Sequence, residues 1–211
     1  MKRRDFLLAT GAACAAPSLS LATERAFRKF RILRDGDDIG THELSATLEG
    51  GIFQVDIRVE IAVKFLGFTA YRYNLINRER WQDGTILSVD SRVDDDGADE
   101  FCRIERAGDE LSVTGSRFTG MLPATAVTTS YYTPAFLERR PWISTQSGDA
   151  LEVQIASAGP GRWQASGELE TQLIYDDRGE WVGSIFDAGG ETATYEVVTD
   201  TGLIAALWAA A

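Results

Sequence analysis

The sequence has little of the residue types from which metal sites and catalytic triads are built. It contains one histidine, His42, and two cysteines. A single imidazole cannot complete a zinc site, which needs several such ligands, or a triad, which also needs an adjacent nucleophile. The sequence also lacks a phosphate-binding loop and a dinucleotide fingerprint. We therefore expect no metal and no cofactor, and an enzyme is the less favoured class of protein. His42 follows the first predicted hairpin turn, which favours a polar surface role for it.

Positive charge is scarce, and long apolar runs are absent. The chain carries 21 basic and 32 acidic residues, for a formal net charge of −11. Such a chain repels nucleic acid and anionic lipid head groups, so we expect neither as a partner. No run reaches the ~18 apolar residues of a membrane span, so no transmembrane segment is expected after processing. No feature of the sequence predicts an oligomeric state.

Residues 1–22 have the order of a signal peptide: basic, then apolar, then small residues. The adjacent Arg3 and Arg4 are typical of twin-arginine export, and a small-x-small site ends at Ala22. We expect cleavage near Ala22 and a periplasmic protein. Cys14 would leave with this segment, so Cys102 would have no partner for an internal disulfide. A lone cysteine of this kind is usually buried and inert.

The most informative stretch of the mature chain is residues 53–65. Every odd position holds a large apolar residue, and every even position except Ala62 is polar or charged. A period of two places all the apolar side chains on one face of an extended strand. At about 3.3 Å per residue this strand would be roughly 43 Å long. A strand of that length must coil, so the pattern predicts an antiparallel sheet curved around an apolar interior.

Similar alternation recurs along most of the chain. Further strands are predicted near residues 26–34, 41–48, 71–81, 85–93, 101–106, 111–114, 117–122, 151–155, 169–175, 181–186 and 192–198. Turns rich in Asp and Gly separate many of them, at residues 35–38, 83–84, 94–97 and 176–179. We interpret these acidic clusters as turns rather than calcium loops, because ligands at the spacing of a calcium loop are missing. The predicted fold is mainly β, a single antiparallel meander forming a strongly curved sheet or half-barrel.

The alternation breaks between residues 123 and 148. We call this irregular segment, residues 123–148, the excursion. Thr133 and Pro134 have the pattern of an N-cap followed by proline at the first helical position, which predicts that the helical part of the excursion lies near residues 134–140. Residues 201–211 form an apolar C-terminal tail, predicted to be a docked helix or a loose end. Residues 23–200 are predicted to be a single β domain.

Several short motifs together resemble an uncharacterised family, a domain of unknown function, of exported proteobacterial β-rich proteins. The motifs lie at residues 30–36, 39–42, 65–67, 71–73, 81–84, 94–97 and 129–134, and the likeness covers most of residues 26–198. The family supplies no catalytic residues. A looser architectural likeness to periplasmic lipoprotein carriers implies a hydrophobic ligand, although fold alone does not establish function.

Aromatic residues with polar groups are the candidate ligand-binding residues, because Tyr and Trp suit the mouth of a pocket. The candidates are Tyr71, Arg72, Tyr73 and Trp81 near the long strand, and Tyr131, Tyr132 and Trp142 in the excursion. Arg72, Arg139 and Arg140 could meet an anionic head group. The alternative interpretation is that the excursion fills the open side of the sheet and its aromatic residues are core. Both interpretations, a ligand site and a filled core, hold if the excursion is also a movable lid.

We therefore predict non-enzymatic binding of a hydrophobic small molecule or lipid in the cavity of a curved sheet. One alternative is a structural or interaction protein of the cell envelope, with a filled core and partners at its sheet edges or tail. A second alternative is a hydrolase using paired carboxylates, which would need acids with raised pKa values in a cleft.

Overall fold

The structure is a computed structural model that describes residues 24–65 and 68–211. Its first eight strands are β1 (Glu24–Arg34), β2 (Asp37–Glu49), β3 (Ile52–Phe65), β4 (Phe68–Gln82), β5 (Thr85–Asp95), β6 (Ala98–Ala107), β7 (Glu110–Gly115) and β8 (Thr119–Pro123). The next are β9 (Val127–Thr128), β10 (Trp142–Ile143), β11 (Ala150–Leu151), β12 (Val153–Gly159), β13 (Arg162–Gly167), β14 (Thr171–Tyr175), β15 (Trp181–Asp187) and β16 (Thr192–Thr201). A 3-10 turn covers Pro134–Phe136, and helix α1 covers Ile204–Ala209. The predicted signal peptide lies outside the described residues.

Thirteen of the described strands form one antiparallel sheet, which confirms the mainly β prediction. Their order is β12-β13-β14-β15-β16-β1-β2-β3-β4-β5-β6-β7-β8, and the sheet does not close into a barrel. The sheet differs from a single continuous meander, because the last strand, β16, pairs with the first, β1. Two meanders are thus joined through the two ends of the chain. Alternation cannot predict this pairing, because it shows which face a residue occupies but not which strand lies beside it.

The apolar stripe of β3 is buried from Phe53 to Val59, as predicted, and Ile61 and Val63 are half-buried. Phe53, Val55 and Val59 are buried, whereas Arg58 and Glu60 on the opposite face are exposed. The strand pairs with β2 on one side from Ile52 to Ile61, and with β4 on the other side from Phe53 to Phe65. Burial of such a stripe stabilises the fold by about 25 cal/mol per Å² of apolar area removed from water.

The contacts of two neighbouring residues show that the large sheet curves strongly. The Tyr132 hydroxyl donates to Glu79 on β4 (3.2 Å), while the Tyr131 carbonyl accepts from the Tyr175 hydroxyl on β14 (2.7 Å). Strands β14 and β4 are six steps apart in the sheet order. At about 4.8 Å per step they would lie roughly 29 Å apart in a flat sheet. The sheet therefore wraps around the segment that carries both tyrosines.

That segment contains the predicted N-cap. Thr133 Oγ1 accepts a hydrogen bond from the Ala135 amide (3.3 Å), and Pro134 begins the helical turn. The turn ends at Phe136 and is therefore shorter than the predicted residues 134–140. A small second sheet is formed by β9 and β10 of the excursion and by β11, which follows it, and the β9–β10 pair is parallel.

The apolar tail is a docked helix. Ile204 and Leu207 of α1 are buried, and the Trp208 ring packs edge-on against Trp81 with ring centroids 4.8 Å apart. A buried ion pair lies beside the start of this helix: Arg28 Nη1 is 3.0 Å from Glu180 Oε2, and Glu180 Oε1 accepts from the Ala205 amide (2.8 Å). In the part of the chain that the structure describes, no helix has the length and apolar character needed to cross a bilayer.

Candidate functional site

A cavity of about 490 Å³ lies between the buried face of the large sheet and the excursion. Its volume falls within the roughly 300–1,000 Å³ typical of small-molecule sites. Its apolar and aromatic wall is supplied by the two longest strands, β3 and β4, by β11, and by the β12–β16 part of the large sheet. These residues are Ile57, Val59, Ile61, Tyr71, Tyr73, Leu75, Leu151, Leu169, Phe186 and Tyr195. Ser130 and the loop that carries Ser144, Thr145 and Gln146 supply the polar side. The cavity can therefore hold an apolar body and still offer hydrogen bonds to it.

His42 forms part of the cavity wall, which corrects its predicted surface role. Its side chain is in phase with the buried residues of β2, so the residue is only 6% exposed. Its ring packs edge-on against Trp181 and Tyr195, at centroid distances of 5.2 and 5.5 Å. Neither ring nitrogen has a hydrogen-bond partner among the described residues. Burial lowers the pKa of His42 to about 3, so its imidazole is neutral at physiological pH.

Four tyrosines contribute their rings to the cavity. The Tyr71 hydroxyl donates to Asp95 Oδ1 (2.7 Å) near the protein surface. The hydroxyls of Tyr73, Tyr131 and Tyr195 make no hydrogen bond within residues 24–65 and 68–211, and burial raises the pKa of each phenol. All three phenols are therefore neutral groups that are able to bond to a guest molecule.

The outer part of the cavity wall is acidic. Asp149, Glu168 and Glu170 line it, and Arg117 is its one cation among the described lining residues. Arg117 is itself paired with Glu100, to which its Nε donates at 2.9 Å. The electrostatic field at this rim therefore disfavours an anionic molecule.

A buried carboxylate, Glu79, lies just behind the cavity. Alternation along β4 puts Glu79 on the same face as Asn77 and Trp81, and it is fully buried. Its oxygens accept five hydrogen bonds, from Ser130 (2.6 Å), Asn77 (2.8 Å), Trp81 (3.0 Å), Thr128 (3.2 Å) and Tyr132 (3.2 Å). Three of these donors belong to the excursion, so Glu79 fixes that segment against the sheet.

Burial raises the pKa of Glu79, and the hydrogen bonds from Ser130 and Asn77 oppose that shift. The side chain is nevertheless closed off from the cavity, because only its neighbours Ser130 and Asn77 reach the cavity wall. Glu79 therefore holds the wall in place and does not itself line the cavity.

The structure divides the predicted ligand-binding residues into two groups. Tyr71, Tyr73 and Tyr131 line the cavity. Trp81, Tyr132 and Trp142 are fully buried in the core outside it, and Arg72 is exposed. The excursion thus packs in the core, as in the alternative interpretation, and also contributes one side of the cavity.

The two arginines of the excursion bind backbone carbonyl groups. Arg139 donates to the carbonyls of Ala124, Thr125, Ala126 and Gly84, and Arg140 donates to those of Val153 and Leu137. Both guanidinium groups therefore hold the excursion in place, and neither lines the cavity.

Sequence reasoning missed His42, Asn77, Glu79 and Tyr195 as buried polar groups near the cavity. For the residues on β2 and β4, the sequence contains a signal of burial. His42 is in phase with Leu44 and Ala46 on β2, and Asn77 and Glu79 are in phase with Leu75 on β4. A polar residue in the apolar phase of a strand is buried, and its partners then come from elsewhere in the chain.

The acidic turn at residues 94–97 forms as predicted, with the Gly97 amide donating to Asp94 Oδ1 (2.8 Å). Among the described residues, no group of three or more His, Cys, Asp or Glu side chains is arranged to hold a metal ion.

Because His42 is buried and neutral, we expect acid to destabilise the fold through this residue. The folded pKa lies near 3 and the unfolded pKa near 6.5, so the unfolded chain binds the additional proton between these values. The contribution of His42 to the free energy of unfolding is fully present above pH 6.5 and declines as the pH falls toward 3. At pH 5 the loss amounts to about 2 kcal/mol. Urea unfolding from pH 7.5 to 5 should show this loss in the wild type and not in His42→Phe; parallel pH profiles would contradict it.

The comparisons with known proteins support the fold. The crystal structure of a beta-barrel-like protein of the domain of unknown function DUF1849 from Brucella abortus superposes with a TM-score of 0.57 and 10% sequence identity, covering 86% of this chain and 98% of that chain. At that identity the likeness shows the fold alone. A comparison with curated proteins gave no match. The family model of the domain of unknown function DUF6134 matches residues 30–198, and the chain therefore belongs to the DUF6134 family.

Proposed function

We propose that the protein binds a hydrophobic or lipid-like small molecule in the cavity between its curved sheet and the excursion, without catalysing a reaction. The observation that carries the proposal is the cavity of about 490 Å³, whose wall combines aliphatic side chains of β3 with aromatic rings of β4, β15 and β16. Transfer of an apolar molecule into such a site gains about 25 cal/mol per Å² of apolar surface removed from water.

The location of this binding is part of the proposal. The predicted twin-arginine signal, at residues 1–22, would deliver the folded protein to the periplasm. The excess of acidic residues, which gives the full chain a formal net charge of −11, would keep the carrier in solution and away from anionic head groups.

A fluorescent apolar probe tests the proposal. We expect N-phenyl-1-naphthylamine, which is uncharged, to bind the wild type with increased fluorescence. Ile61→Trp fills the cavity from its wall and should weaken probe binding at least about tenfold, since the inserted ring takes the volume of the guest. Ile76→Trp is the matched control, because Ile76 lies on the opposite face of β4 and is 57% exposed.

Thermal unfolding should show that both variants fold. Absence of probe binding by the wild type would reject the proposal, and so would equal binding by Ile61→Trp and the wild type. Organic extraction of the purified protein followed by mass spectrometry would then identify the natural guest.

The interaction-protein alternative is favoured by one observation, the two edges of the large sheet. Strands β8 and β12 each lack a second partner strand within the described residues, and Met121 on β8 is 47% exposed. Such edges can pair with another chain. The apolar tail contributes less to this alternative, because its buried residues pack against the core.

A further inference from the structure

The buried end of the cavity contains polar groups whose hydrogen-bonding capacity is unused. Both nitrogens of His42 and Oδ1 of Asn77 lack partners among the described residues, although the two side chains are 6% and 1% exposed. Both side chains line the cavity. Burying a polar group without a hydrogen-bond partner is costly, so native proteins rarely leave one unsatisfied. These atoms have almost no accessible surface in this structure, so a small rotation of each side chain would let it pair with a molecule in the cavity.

The neutral imidazole determines what kind of group can pair with it. One ring nitrogen donates a hydrogen bond and the other accepts one. Burial holds the pKa of His42 near 3, so the ring stays neutral at any ordinary pH. The nearby phenols of Tyr73, Tyr131 and Tyr195 are neutral as well, and each can donate or accept. A hydroxyl matches this set, because it too donates and accepts.

Charge argues against an ionised head group at the same place. The buried Arg28 guanidinium near His42 is already paired with Glu180 at 3.0 Å, and Arg117 is paired with Glu100. A carboxylate guest would therefore lose its hydration without gaining a free cation, while passing the acids Asp149, Glu168 and Glu170 at the rim. An ammonium guest would be attracted to the rim, but at the buried end the carboxylate of Glu180 is already paired with Arg28.

We propose that the cavity selects an uncharged apolar alcohol, and that His42 binds its hydroxyl at the buried end. This inference rests on the proposed function and adds to it the chemical class of the guest. Its apolar body would lie along the β3 and β4 side chains, and the tyrosine hydroxyls would supply further hydrogen bonds.

Displacement of the naphthylamine probe by ligands of one size tests the selection. The set is 1-decanol, its isomer 1-methoxynonane, decanoate and decylamine, measured at pH 8 with the wild-type protein. We expect decanol to displace the probe with an apparent Kd at least about tenfold lower than that of decanoate or decylamine. It should also bind about fivefold more tightly than the ether, which cannot donate a hydrogen bond.

Two variants assign the preference to His42. His42→Phe keeps an aromatic ring but cannot bond to the hydroxyl, so the preference for decanol over the ether should disappear. His42→Gln keeps a donor and an acceptor and should retain most of it. If His42→Phe does not fold, the wild-type ligand series still decides the question.

Equal or tighter binding of decanoate would overturn the inference, as would a decanol preference that persists in His42→Phe. In either case a bound probe leaves the proposed function standing. A wild type that binds neither the probe nor any of these ligands would reject both.

Discussion

Replacing Arg28 with methionine is expected to lower the free energy of unfolding by about 3–5 kcal/mol, because it leaves Glu180 buried without its cation. The two side chains are 3% and 1% exposed, and Arg28 Nη1 also donates to the Trp181 carbonyl (2.8 Å). The variant therefore leaves a buried charge and a backbone acceptor without partners at the junction of β1, β15 and α1. Urea unfolding monitored by tryptophan fluorescence measures the loss.

The control for Arg28 is another ion pair on the same strand. Arg31 Nη2 lies 2.9 Å from Glu196 Oε2, but these side chains are 45% and 51% exposed. Arg31→Met should leave the free energy of unfolding nearly unchanged, because water screens the pair. The double variant Arg28→Met/Glu180→Gln should recover at least half of the free energy of unfolding lost in Arg28→Met, because it removes the unpaired buried charge. Equal effects of Arg28→Met and Arg31→Met would show that burial is not what makes the first pair sensitive.

Replacing Glu79 with leucine is expected to lower the free energy of unfolding by about 3 kcal/mol or more. Five donors lose their acceptor. Two of them, the Trp81 indole N–H and the Asn77 amide N–H, can only donate, so they cannot reverse their role to find another partner. Because Thr128, Ser130 and Tyr132 belong to the excursion, the loss should also loosen one wall of the cavity. Hydrogen exchange of residues 128–132 should accelerate in the variant.

Two further variants interpret the Glu79 result. Glu60→Leu removes an exposed carboxylate from the neighbouring β3 and should change stability by less than about 1 kcal/mol. Glu79→Gln keeps the shape and one acceptor oxygen, so it should be less damaging than leucine.

The folded pKa of Glu79 is raised by burial, so the folded state holds its proton more tightly than the unfolded chain. The stability advantage of the wild type over Glu79→Gln should therefore narrow as the pH rises above Glu79's ordinary pKa of 4.5. A wild-type level of stability in Glu79→Leu would refute the structural role of the cluster.

The alternation along β3 predicted the fold because it is a local property of the chain. Phe53, Val55 and Val59 had to share one face in any extended conformation, and burial followed from that. Strand β13 escaped prediction because Trp163 is its only large apolar residue. The pairing of β16 with β1 escaped prediction because it joins segments at opposite ends of the sequence.

The site was predicted less completely than the fold, because it depends on which strands and loops lie side by side, and this is not a local property of the chain. Tyr73 and Tyr131 were recognised from their chemistry as residues suited to a pocket, and both line the cavity. Tyr195 reaches it only because β16 pairs with β1. Trp81 and Tyr132 have the same chemistry as the cavity tyrosines but lie in the core, where Glu79 accepts their hydrogen bonds. Residue type alone does not distinguish these two environments.

The pairing of β16 with β1 also has a consequence for biosynthesis. While the ribosome is translating the middle of the chain, β1 (Glu24–Arg34) has already been synthesised, but β16, the strand that covers its outer edge, does not yet exist. The nascent chain therefore carries an open β-edge in the middle of its future sheet, where intermolecular pairing leads to aggregation. Completion of the fold has to wait for release of the C terminus, so a chaperone that shields this edge during synthesis would raise the yield of native protein.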